Sequence, residues 1–84
     1  MASMLVDYRT ISIIGPISSA NKIRAAIAIF GKDVTASELH YAAKTDTVMA
    51  YLKVNTTNPE STVDSITRHL TIDTIVSPSV TFID

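Results

Sequence analysis

At 84 residues the chain has room for one domain (1–84) and one small core, and 46% hydrophobic against 18% charged residues excludes intrinsic disorder. The absence of cysteine excludes disulfides, thiolate metal sites and cysteine nucleophiles. With a net charge of -1, and seven Lys and Arg scattered singly among eight acids, no basic cluster exists to meet nucleic-acid phosphates.

Met1 to Val6 lacks the basic start and long apolar region of a signal peptide. No run approaches the roughly 20 apolar residues of a membrane span. A cytoplasmic location is the expectation. Leu5 to Ile14 predicts the first strand, rich in β-branched and aromatic residues and closed by Gly15-Pro16. Ile11 and Ile13 alternate with Thr10 and Ser12, while Ile14 adds an apolar residue on the other face, as suits a central strand.

Ser18 or Ser19 is placed to cap the following helix, since a serine oxygen accepts a bond from a free N–H of the first turn. Ile23, Ala26, Ile27 and Phe30 then recur at helical spacing, and Gly31 falls where a left-handed closing residue is usual. After a connection through Asp33 to Ser37, Leu39, Tyr41 and Ala43 alternate with His40, Ala42 and Lys44. Val48, Ala50, Leu52 and Val54 alternate in turn with Met49, Tyr51 and Lys53. Thr45-Asp46 between the two runs predicts a hairpin.

Asn58-Pro59-Glu60 is a helix start with cap, first-turn proline and dipole-facing acid in order. Val63, Ile66, Thr67 and Leu70 form its apolar stripe, and β-branched residues beyond Leu70 end the helix there. Pro78 confines the last strand to Ser79 through Ile83 or places it at a sheet edge.

This order of elements, βαββαβ, predicts an α+β ferredoxin-like fold: a four-stranded antiparallel sheet in the order 4-1-3-2 with two helices on one face. The opposite face is then open, and carries Tyr8, Thr10, Met49, Tyr51 and Lys53, with His40, Ala42 and Lys44 beyond. Tyr and Met are enriched in interface cores, so these five residues are the expected interface, with self-pairing into a homodimer through this face the leading expectation. Tyr8 and Tyr51 also match the layout by which RNA-recognition folds stack bases. The missing basic charge disfavours nucleic acid as a partner.

Strand run Thr10 to Ile14, turn Gly15-Pro16-Ile17, the helix through Ile23 and Ile27, and the closing Leu70, Ile72, Val76, Val80 pattern resemble the ACT domains. The resemblance implies a small regulatory module that self-associates and often binds amino acids. It covers most of the chain by pattern, although Gly15-Pro16-Ile17-Ser18 stands where ACT domains usually carry an Asp-x-Pro-Gly type turn. The corresponding ligand region is the loop and helix start holding Gly15, Ser18, Ser19 and Asn21.

His40 and His69 have no second His or carboxylate at ligand spacing, so no metal site, catalytic residue or cofactor is expected. Copper chaperones need a cysteine pair, and acylphosphatases need an arginine directly after a Gly-rich loop, whereas Arg24 lies more than a turn into the helix. The expected function is a non-enzymatic regulatory or adaptor module that self-associates through its sheet and binds a protein partner, with small-ligand sensing as a subsidiary role. The alternatives are a small viral or plasmid-borne effector that inhibits a host protein by binding it and, more weakly supported, an RNA-binding domain.

Overall fold

The computed structural model describes residues 3–83; the reading of a signal-free start reaches back to Met1 and Ala2, which lie outside them. Five strands and two helices follow in the order β1 (Ser3–Pro16), α1 (Ala20–Phe30), β2 (Val34–Ala36), β3 (His40–Ala42), β4 (Thr47–Val54), α2 (Pro59–His69) and β5 (Ile75–Ile83). All pairings are antiparallel. The fold is α+β, consistent with the ferredoxin-like arrangement.

The expected four strands in the order 4-1-3-2 require correction. The sheet has five strands, four of them on the path β2-β4-β1-β5 and the fifth, β3, paired with β4 off that path. The cause lies in the connection through Asp33 to Ser37: Val34–Ala36 forms a strand of its own, with Val34 opposite Val54 and Ala36 opposite Leu52, while His40–Ala42 pairs further along with Met49 to Thr47. Between them the chain leaves the ladder, and Ser37 fills the gap. Its N–H donates to the Tyr51 carbonyl (2.8 Å) and its Oγ accepts from the Tyr51 N–H (3.0 Å), so the backbone of β4 stays satisfied where no strand faces it.

The core explains the layering. Ile11 and Ile13 of β1, Val34 of β2, and Val48, Ala50, Leu52 and Val54 of β4 share one cluster with Ile23 of α1 and Val63 and Ile66 of α2. Both helices therefore cover the same side of the sheet. Ile27, Phe30, Leu39 and Leu70 pack half-buried around this cluster, while Tyr41, expected inside, is half exposed. Thr67, expected in the stripe, turns its hydroxyl back onto the Val63 carbonyl (2.9 Å).

Gly15-Pro16 does not turn the chain. Both residues continue β1, opposite Val48 and Thr47. Gly15 is closely approached: a Cβ there would lie 3.1 Å from Oγ1 of the buried Thr74, tight enough that the threonine would have to give way. The turn comes later, as a 3-10 segment over Ile17–Ser19. Ser19 precedes α1 without any side-chain capping bond, against expectation, because the chain is already helical when it arrives and the Ala20 N–H bonds the Ile17 carbonyl.

Gly31 closes α1 where expected, at a positive φ of 53° that favours glycine, although its ψ of -126° lies outside the left-handed helical region. The hairpin loop before β4 is a 3-10 turn over Ala43–Thr45 followed by Asp46 at φ 54°, a left-handed position that aspartate tolerates. Asn58 caps α2 as expected: its Oδ1 accepts from the Ser61 N–H at 3.3 Å, with Pro59 first in the helix. Asn58→Ala is expected to cost about 1 kcal/mol of stability, read as a lowered urea midpoint at unchanged slope.

The last strand is longer than predicted, running through Pro78 from Ile75. Its register against β1 jumps between Asp7 opposite Ser79 and Ile11 opposite Pro78. Pro78 has no N–H to offer, and the ladder breaks beside it into a bulge. Beyond the bulge, residues 3–7 of β1 pair only with β5, since the pairing with β4 begins at Thr10. A two-stranded ribbon thus leaves the body of the domain. It contributes to a radius of gyration of 13.3 Å and a longest dimension of 41 Å, where a compact chain of this length gives about 12 Å in radius.

Candidate binding surface

Strand alternation places Thr10, Ser12 and Ile14 of β1 on the face away from the helices, opposite Lys53, Tyr51 and Met49 of β4. His40 lies beyond Met49, and Ser77 and Ile75 of β5 lie beyond Ser12 and Ile14. No element of the described chain covers this face. Its apolar part is the end formed by Ile14, Met49, Tyr51 and Ile75, with Tyr51 50% and Ile75 60% exposed. The Tyr51 ring meets the His40 ring edge-on at 6.0 Å, which orders it across β3 and β4. Thr10, Thr35 and Lys53 make the other end polar.

Four of the five expected interface residues, Thr10, Met49, Tyr51 and Lys53, stand on this face. Tyr8 does not. It falls in the bulge, where strict alternation is lost, and packs half-buried against the core. Of the two readings of Pro78 the sheet edge holds and the limit to Ser79 through Ile83 does not, so Ile75 joins the face as a residue the sequence reading lacks. Its signal was present in the β-branched run ahead of that proline.

The expected ligand residues are dispersed. Gly15 is buried within β1, Ser19 is buried, Ser18 is exposed, and the Asn21 Oδ1 accepts from the Arg24 Nη1 at 3.3 Å. A shallow cleft of about 400 Å³ touches Gly15 but is bordered by Asp46, Asp73 and Ile75 rather than by Ser18, Ser19 or Asn21. Two carboxylates there oppose an anionic ligand. The Thr71 hydroxyl donates to the Asp73 carboxylate and holds its pKa below the ordinary carboxylate value, with the charge of Lys22 adding to the effect.

A folded-state pKa below the unfolded one means that this contact stabilises the native turn above the ordinary aspartate range, and the contribution is lost as pH falls through the lowered value. Carboxyl chemical shifts are expected to show Asp73 titrating below the ordinary aspartate range. In Thr71→Val the midpoint is expected to move up towards that range.

A larger cleft of about 510 Å³ lies where β2 and β3 part, between α1 and the sheet edge, and is lined by Arg24, Ile27, Leu39 and Tyr41 with Glu38 at its side. Arg24 reaches across it to donate to the Tyr41 hydroxyl at 2.6 Å. On α2, the Arg68 Nε–H donates to the Asp64 backbone carbonyl (3.3 Å), and His69 packs edge-on against Phe30 at 5.9 Å.

Among the described residues no three metal-ligating side chains come together, and no helix is long and apolar enough to cross a membrane. Compared with known proteins, the chain matches no protein-family model and no curated protein.

Proposed function

We propose that this chain is a non-enzymatic regulatory or adaptor module that acts by association: it self-associates through its sheet and takes a protein partner on the uncovered face. The observation that carries this reading is the face itself. Ile14, Met49, Tyr51 and Ile75 put apolar and aromatic surface into water on rigid strands, beside the polar end formed by Thr10 and Lys53. Apolar centres with polar surroundings are how protein interfaces are built. The near-neutral charge supports a protein over a nucleic acid as the occupant.

The α+β layering supports an ACT-like regulatory role at the level of fold alone, and a fold hosts many functions. Small-ligand sensing is secondary in this reading, because Gly15, Ser18, Ser19 and Asn21 do not converge on one cavity.

The test is a photo-crosslinking residue placed at Tyr51 and, separately, at the exposed Asp64 of α2, in the chain's native source. Adducts with a distinct polypeptide are expected from position 51 and not from 64. Equal yields from both positions, or none from 51, contradict the proposal.

A further inference from the structure

The two edges of the sheet are built differently. On one side the edge is broken into β2 and β3, three residues each, and such short pieces offer little backbone for another chain to pair with. On the other side β5 presents nine residues, Ile75–Ile83, among which there is no charged residue. Edges exposed to water are normally guarded by charge, by brevity or by cover. Here the guard is Pro78 alone.

The ribbon adds to the anomaly. Met4 opposite Phe82 and Val6 opposite Val80 give it an apolar face, and Met4 is 62% and Phe82 73% exposed. A two-stranded ribbon is marginal by itself and needs a further strand or a packed layer.

The sequence of β5 supplies the missing strand. Read outwards from Ser79, residue types repeat in mirror order: Pro78 and Val80, Ser77 and Thr81, Val76 and Phe82, Ile75 and Ile83. An antiparallel strand paired with its own copy about a two-fold axis at Ser79 sets each of these residues opposite its mirror mate. Apolar residues then meet apolar ones, and hydroxyls meet hydroxyls.

We propose that a second copy of this chain pairs along β5 in this register, joining two sheets into one. The interface is isologous, as in most dimers. Its pairs are of the kinds that stabilise antiparallel ladders: β-branched with aromatic, and hydroxyl with hydroxyl. The absence of charge on β5 means that no like charges face each other across the axis. Pro78 stands opposite Val80 of the second copy, and at the centre of the ladder Ser79 meets its own mate. Phe82, at the far end of the ribbon, is brought beside Val76 of the second copy, which packs against that copy's core. Each ribbon is in this way supported by the other molecule's body. The open face stays free for a different partner.

This inference rests on the reading of the chain as a self-associating module and adds the place and register of the association. Ser77 and Thr81 are exposed, so charges introduced there are compatible with the monomer fold. Sedimentation at micromolar concentration is expected to show a dimer for the wild type. The double variant Ser77→Lys, Thr81→Lys sets like charges opposite each other twice and is expected to weaken dimerisation about tenfold or more. The double variant Ser77→Lys, Thr81→Glu sets opposite charges in the same places and is expected to restore the dimer. If the wild type dimerises but the two double variants associate alike, the register is overturned while self-association stands. A monomeric wild type overturns this pairing and self-association together, leaving the open face to its crosslinking test.

Discussion

Ile13→Ala is expected to lower the stability of this domain by about 2–5 kcal/mol, since deleting the buried side chain beyond Cβ loses transfer energy and leaves a cavity. Ile13 has 0% exposure and sits on the central strand with Ala50 opposite it on β4 and Val76 on β5. Ala50 is too small to move into the space. For a chain of 84 residues total stability is on the order of 4–12 kcal/mol, so one substitution removes a large part of it. Urea unfolding should show a much reduced midpoint with an unchanged slope. A loss below about 1 kcal/mol would mean that β1 is not the centre of the packed layer.

The second large effect is a contrast between neighbours. Leu52→Glu puts a carboxylate on the helix-covered face, at a position 2% exposed with no cation built to receive it, and is expected to abolish cooperative folding. Tyr51→Glu, one residue earlier, points to the uncovered face and is expected to change monomer stability by only about 0.5–1 kcal/mol, the loss being its contact with His40. Circular dichroism and thermal melts separate the two. If both substitutions unfold the chain, the face bearing Tyr51 is covered and the account of the binding surface fails.

Residues with strong local determinants were legible in the sequence. Asn58-Pro59 started α2 where their chemistry required, Gly31 ended α1, and the alternation of Val48, Ala50, Leu52 and Val54 identified the strand whose other side became the open face. What failed depended on contacts distant in sequence. Gly15-Pro16 reads as a turn locally, yet the reach of β4 to Thr47 keeps it extended and the approach of Thr74 explains the glycine.

Val34–Ala36 is too short to signal a strand and becomes one only because β4 has a free side. Tyr8 left the predicted face because the proline of another strand interrupts the ladder beside it, an event invisible from residues 5–14 alone. The ligand reading of Gly15, Ser18, Ser19 and Asn21 needs a loop that runs directly into a helix start. The chain divides that stretch among a strand, a 3-10 turn and a helix, which point the residues apart.

The central claim, one side of the sheet covered by both helices and the other open, is testable along β4 because the chain has no cysteine of its own. Single cysteines at positions 49 to 53, challenged with a thiol reagent under native conditions, should react with a period of two: 49, 51 and 53 readily, 50 and 52 only on unfolding. Uniform protection along the strand, or reactivity in the opposite phase, would contradict it.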